Sequence, residues 1–370
     1  MRRHWQREPL LVRGAFARFR DPLSPREVLA LARSDDAVSR LVRRRGAAWS
    51  LEHGPFTAAR LKQLPRRDWT VLVQDTNHVS GRAERLLSAF DFIPHARIDD
   101  VMVSYAVPGG GVGPHVDSYD VFLVQGRGRR RWQISRQDDR AFVPGLELRI
   151  LERFRPEREF VLEAGDMLYL PPGVAHCGVA ETECLTWSIG FRAAAGDEIV
   201  AGFLDFLRDR PWPARRYADP RAGAARHPGE IPARMLAHVD RTLGRIRWNA
   251  RDVREFAGMQ LSEPKAHVVF TPPRRALGLA AFRARCRRLG LALDPRSRLL
   301  YSGPLFFLNG ERLDVPPSAR GPLRRLADER SLNAPFAASA GFWRLAHAAY
   351  LRGAMAPADA APDRDDEGDR

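Results

Sequence analysis

The stretch Val107-Pro-Gly-Gly-Gly-Val-Gly-Pro-His115-Val-Asp117-Ser-Tyr119-Asp120 decides how this chain is read. On a β-strand, residues i and i+2 point the same way, so His115 and Asp117 reach one metal together. A further histidine, His176, follows the turn Leu170-Pro-Pro-Gly-Val-Ala. Two histidines and one carboxylate hold one face of a ferrous ion and leave positions open for a cosubstrate and dioxygen. His176 is remote in sequence, so it must arrive from a distant strand, as in a small barrel of short strands. The competing reading is a surface His-Asp pair beside an unrelated core histidine. A histidine after a Pro-Pro-Gly turn, within a β-rich stretch, weighs against that.

From Ile98 to Phe191 the hydrophobic period is mostly two. Strands are expected over residues 100–107, 120–124, 129–134, 159–162, 167–170 and 185–191. Turn chemistry separates them: Pro108 with three glycines, Gly126-Arg-Gly128, Gly165-Asp166 and Pro171-Pro172-Gly173. Many short strands without intervening helices indicate a barrel or jelly roll.

Parity then selects side chains. Arg129, Arg130 and Arg131 are consecutive and cannot share a face. Arg130 alternates with Trp132 and Ile134, so it is the arginine expected inside. A buried arginine needs a carboxylate: the distal carboxylate of 2-oxoglutarate, or an internal partner such as Asp166. In residues 100–107, Asp100, Met102, Ser104 and Ala106 share one face. That mixed face suits either a site wall or solvent. Tyr119 continues the parity of His115 and Asp117, and Ser188 belongs to the polar set of the last strand.

Outside this region, Leu10-Leu11-Val12 and Thr70–Val73 read as strands, and a helix opens at Pro25 with Ser24 as its cap. Beyond Gly196 the period becomes helical, with Ile199, Phe203 and Leu207, then Met235, Val239 and Leu243, then Val253 and Phe256 after an Asn249 cap. Such apolar faces bury against the barrel or a second copy of the chain. Residues 264–273 read as a linker. A small α/β unit follows, with a hairpin at Asn309-Gly310. The tail 354–370 is rich in Ala, Asp and Pro and is expected to be disordered.

The chain has 370 residues and a formal charge of +15. Its basic residues are arginines apart from Lys62 and Lys265. That balance suggests an anionic partner such as RNA, although a GC-rich coding sequence gives the same composition. The run Arg43-Arg44-Arg45 reads as a solvated surface. No apolar run approaches the about 20 residues that span a bilayer, so no membrane role is expected. Cys177, Cys184 and Cys286 form no metal-type pair and no disulfide framework, and a cytoplasmic location is the simplest.

These residues resemble the bacterial JmjC-type ribosomal oxygenases, which hydroxylate an arginine of a large-subunit ribosomal protein. The resemblance runs from His4-Trp5-Gln6-Arg7-Glu8-Pro9-Leu10 through His53-Gly54-Pro55-Phe56 and Arg97-Ile98-Asp99-Asp100. It is densest from Val107 to Phe122 and continues in Gln125–Trp132, Leu170–His176 and Trp187–Arg192. It implies an α+β chain with a double-stranded β-helix catalytic domain (1–196), a helical dimerisation region (197–263) and a winged-helix-like domain (264–353). It implies Fe(II) on His115, Asp117 and His176, and 2-oxoglutarate on Arg130 with Ser104 nearby, with O2 as the other cosubstrate. Asp100 and Ser188 would hold the substrate arginine, flanked by Met102 and Tyr119. The chain would act as a homodimer, with a ribosomal RNA contact also open. Relative to that family the chain begins late, so part of the N-terminal helix is expected to be missing or its start misassigned. Two rival readings are a related oxygenase acting on histidine or lysine, and a non-catalytic cupin-like module docked on RNA.

Overall fold

The computed structural model describes residues 3–212, 216–220 and 223–358. Twelve strands build the first part of the chain. They are β1 (Leu10–Val12), β2 (Ser39–Arg45), β3 (Ala48–His53), β4 (Trp69–Val73), β5 (Ile98–Ala106) and β6 (His115–Val116). β7 (Val121–Gln125), β8 (Arg130–Ser135), β9 (Arg158–Leu162), β10 (Met167–Leu170), β11 (Ala175–Ala180) and β12 (Cys184–Phe191) complete them. Eight form one antiparallel sheet in the order β1-β10-β7-β12-β5-β4-β2-β3; four form a second, β6-β11-β8-β9. Two such sheets closing on one cavity make a double-stranded β-helix.

Parity explains why both faces of the larger sheet are apolar. Val101, Val103, Val124, Leu185, Trp187 and Ile189 join one core with Val28, Ala83, Leu86 and Phe90 of the N-terminal helices. The opposite parity, Val121, Leu123, Leu168 and Leu170, packs with Trp132 and Ile134 of the smaller sheet. Asp100, Met102 and Ser104 therefore face the space between the sheets, not solvent.

The helix Pro25–Leu31 begins as expected. Ser24 Oγ accepts the Glu27 N–H, and Glu27 accepts the Ser24 N–H in return. Trp5 stacks on Tyr169 at 5.6 Å, and Gln6 donates to Asp120, which also accepts from Tyr169 and Arg97. The N-terminal motif thus pins the chain's start to the sheet.

Two features were illegible from period. β11 carries His176 but reads Ala-His-Cys-Gly-Val-Ala, without alternation. Gly178 sits opposite Trp132, and a Cβ there would lie 2.7 Å from the indole ring, so glycine is required. The arginine run 43–45 is the end of β2, with Arg43 half-buried rather than wholly solvated.

The chain divides into two compact units: Met1–Ala193 with Pro264–Ser297 and the described part of Pro316–Arg370, and Ala194–Glu263 with Arg298–Val315. In the second unit, the helix Ala250–Ser262 is capped by Asn249 and packs its Gly258 against the Phe307 ring. The meander Leu299–Ser302, Leu305–Leu308, Glu311–Leu313 turns at Asn309 (φ 53°) and Gly310 (φ 85°), both left-handed as a type I′ hairpin demands. The helix Ala233–Leu243 buries no residue and exposes Met235, Leu236, Val239 and Leu243. In the first unit, Met355–Pro357 pair with Leu291–Leu293, and Ala354 and Met355 are buried. This corrects the expected disordered tail at its start, where backbone pairing and apolar burial order the chain. Residues 359–370 of that tail lie outside the described residues.

Candidate active site

The ladder between β6 and β11 sets His115 opposite His176, and Asp117 follows at the end of β6. One ligand atom from each of the three lies within 4.8 Å of the others, and His176 Nε2 is 3.6 Å from Asp117 Oδ2. His115 Nδ1 lies 3.0 Å from the Gly113 carbonyl, and His176 Nδ1 lies 3.0 Å from the Val174 carbonyl. A carbonyl only accepts, so each Nδ1 carries the hydrogen and each Nε2 keeps its lone pair for a metal. Gly113, at φ +80°, makes the turn that brings its carbonyl back to His115. Burial, and then His115, push the His176 imidazole down to about 4 against the pull of Asp117. The ring is neutral at neutral pH, as a ligand must be. This donor set fits a ferrous ion.

These side chains line a cavity of about 440 Å³ that also includes Asp100, Met102, Ser104, Arg130 and Ser188. Tyr119 lines it too, and is 40% exposed. Arg130 is 5% exposed, and its Nη1 donates to Ser104 Oγ at 2.9 Å. Its Nε and Nη2 are buried with no hydrogen-bond partner among the described residues. The internal pair with Asp166 does not form, because Asp166 takes the Arg13 guanidinium at 2.6 Å. A buried guanidinium with two open N–H groups fits an incoming carboxylate. Arg129 and Arg131, by contrast, lie on the outer face beside Glu181.

Ser188 pairs with Met102 across β5 and β12. Asp100 opens the inner face of β5. Burial raises its carboxyl to about 6, with Lys265 opposing and Asp75 and Asp99 adding to the rise. A Cβ added at Gly190 would lie 3.3 Å from Asp100 Oδ1 and 3.8 Å from the Tyr119 ring, so that oxygen looks between β12 and Tyr119. Oδ2 turns the other way, toward the Asp75 N–H and Lys265.

Sequence reasoning missed Lys265, Asp75 and Thr70. Thr70 Oγ1 lines the cavity, buried without a hydrogen-bond partner among the described residues. Asp75, His78 and His267 also gather within 4.8 Å. The Lys265 ammonium already sits 2.8 Å from Asp75 Oδ1 there, and a fixed cation repels a second one. The signal for Lys265 was its rarity, as one of two lysines in the chain.

A JmjC-domain family model matches residues 85–199, and a ROXA-like winged-helix model matches residues 245–355. The chain is 33% identical over 324 residues to the ribosomal protein uL16 3-hydroxylase of Escherichia coli, spanning 85% of each. Its fold is similar to the X-ray structure of Escherichia coli ycfD, with a TM-score of 0.84, 31% identity and 96% of both chains covered. It is similar also to that ribosomal oxygenase in complex with cobalt and 2-oxoglutarate, with a TM-score of 0.79, 31% identity and the same coverage. With a third of its residues shared across most of both sequences, and the fold shared across nearly all of both chains, this chain belongs to the JmjC-type ribosomal oxygenase family.

Proposed function

We propose that this chain is an Fe(II)- and 2-oxoglutarate-dependent oxygenase that hydroxylates the β-carbon (C3) of an arginine in a large-subunit ribosomal protein. One observation carries the reading: a single cavity holds both the His115/Asp117/His176 ligand set and the buried, cavity-facing acid Asp100. His115, Asp117 and His176 hold the iron, which when bound supplies O2 activation coupled to decarboxylation of 2-oxoglutarate. Arg130 receives the distal carboxylate of 2-oxoglutarate, with Ser104 fixing the guanidinium. Asp100 accepts the substrate guanidinium, whose planar fork suits a carboxylate, and Ser188 offers a second acceptor. Met102 and Tyr119 flank the aliphatic stem and orient a carbon, not the guanidinium, toward the iron.

Charge makes the local acid necessary. The chain carries +15, so a basic ribosomal protein gains nothing from global attraction. Recognition falls to Asp100. The test is mass spectrometry of an arginine peptide incubated with the loaded enzyme, beside a histidine and a lysine peptide. One added oxygen on the arginine peptide, lost about 30-fold or more in Asp100→Ala, supports the reading. Preference for histidine or lysine, or normal hydroxylation by Asp100→Ala, overturns the substrate. Failure to turn over 2-oxoglutarate leaves the non-catalytic module.

The exposed apolar residues of Gly196–Arg208 and Ala233–Leu243 support a homodimer built on this region, read by light scattering at physiological ionic strength. Arg43, Arg44, Arg45, Arg66 and Arg67 gather around one surface cavity and are the place for a ribosomal RNA contact. No helix among the described residues is long and apolar enough to cross a membrane.

A further inference from the structure

We propose that Lys265 is a positioning residue for substrate recognition: its ammonium holds one oxygen of Asp100 from behind, so that the other is presented to a substrate guanidinium. This rests on the reading of Asp100 as guanidinium acceptor.

The geometry divides the two Asp100 oxygens between two tasks. Lys265 Nζ lies 3.5 Å from Asp100 Oδ2, 3.5 Å from Asp99 Oδ1 and 2.8 Å from Asp75 Oδ1. The Asp75 N–H approaches the same Asp100 Oδ2 at 3.4 Å. Oδ1 is left on the side of Gly190 and Tyr119, both of which line the cavity. Lys265 is therefore not a competitor inside the cavity. It is a counter-ion on the far oxygen, shared by three carboxylates.

Without it, three acids would crowd together under low solvation, and like charges that close cannot all stay ionised. Burial already raises the Asp100 carboxyl to about 6, and Lys265 is the principal influence holding it down. Burial disfavours the Lys265 ammonium, but Asp100, Asp99 and Asp75 outweigh it and keep the lysine charged. The groups around Asp100 are Asp75 from the loop after β4, Asp99 from its own strand, Lys265 from the 264–273 segment, and Tyr119 after β6. Behind them, His78 and His267 touch Asp75, and Arg192 touches Asp99. Loss of Lys265 removes the ammonium shared by all three acids and drives Asp100 toward its neutral form, which cannot pair with a guanidinium.

Lys265→Gln tests this, because it removes the charge while keeping a donor for Asp75. The probe is a fluorescent basic peptide with one central arginine, and its Kd on the full-length protein is read by anisotropy from about pH 5.5 to about pH 9. A carboxyl that starts at about 6 and rises by about two further units loses about tenfold of its ionised form at neutral pH. The expected result is roughly tenfold weaker binding for Lys265→Gln at about pH 7. The gap closes or reverses at alkaline pH, where the ionised acids lack their counter-ion, and Lys265→Arg restores the wild-type profile. A profile superimposed on wild type, or weaker by one constant factor at every pH, overturns the proposal. The constant factor would mean lost packing alone. Lys265→Met carries the same comparison if the Gln variant does not fold. Asp100→Asn is measured alongside and should bind weakly at every pH. If Asp100→Asn binds like wild type, the reading of Asp100 itself fails; if it binds weakly while the Lys265 variants match wild type, only the role of Lys265 fails.

Discussion

The metal cluster draws its side chains from paired strands, His115 opposite His176 and Ser104 bonded to Arg130. The acidic cluster takes Asp75 from a loop, Asp99 and Asp100 from the start of β5, and Lys265 from a segment that returns much later in the chain. A hydrogen-bonded ladder fixes where its side chains point without help from their charges. Asp75 and Lys265 lie outside the strands, have no such frame, and are held by their mutual charge and that of Asp99 and Asp100. The first cluster is therefore set by backbone and the second by electrostatics, and each should break in its own way.

The largest expected effect lies on the backbone-set side. His176→Ala removes one of three metal ligands and should abolish succinate formation, as should removal of the metal by a chelator. The fold should persist, since β11 remains paired to β8 through its backbone. Undiminished succinate from the variant would break the ligand assignment.

Next comes the contrast within one strand. Arg130→Ala should raise the KM for 2-oxoglutarate about 30-fold or more, the usual consequence of truncating one partner of a buried charge pair. Arg129→Ala and Arg131→Ala remove exposed guanidinium groups beside Glu181 and should leave that KM unchanged. Equal effects from all three would mean that Arg130 does not receive the cosubstrate.

The same contrast explains what could be read in advance. Parity put Arg130 inside on β8 and grouped Asp100, Met102 and Ser104 on one face of β5, because alternation is local and each strand states its own phase; that the β5 face lines the cavity rather than solvent is seen only in the fold. Ser24 and Asn249 announced their helices through capping chemistry written within four residues. β11 was hidden because Gly178 makes room for Trp132, a demand from the neighbouring strand that leaves no pattern in its own. Lys265 was hidden for the opposite reason. Its three partners lie on other segments, and the surrounding prolines and threonine of residues 264–273 read as a linker. Period and capping show what one segment does; convergence of distant segments carries no local signature.

An acid-dependent effect should separate the clusters further. Burial sets the Asp100 carboxyl at about 6. Above that value it is ionised and pairs with the guanidinium, which stays charged throughout. As pH falls below about 6, the KM for an arginine peptide should rise about tenfold per pH unit. The KM for 2-oxoglutarate should not follow that curve, because Asp100 takes no part in holding its carboxylate. Steady-state kinetics on both substrates checks this; a peptide KM flat down to about pH 5 would place the guanidinium elsewhere.

The smallest effect tests whether Thr70 belongs with the metal cluster. It sits on β4, lines the cavity and keeps its hydroxyl buried with no hydrogen-bond partner among the described residues. A buried hydroxyl without a hydrogen bond costs about 1–3 kcal/mol, so nothing in the unliganded protein rewards its presence. Thr70→Val keeps the shape and removes the hydroxyl. The unliganded variant should melt slightly higher than wild type, since an unsatisfied group is gone. If 2-oxoglutarate supplies the missing partner, the variant should bind it about fivefold less tightly, the worth of about one net hydrogen bond. The two changes have opposite signs, which a packing defect cannot produce, since that would lower the melting temperature. A higher melting temperature with unchanged 2-oxoglutarate affinity would assign the Thr70 hydroxyl to another ligand, and leave Arg130 and Ser104 to hold the cosubstrate carboxylate alone.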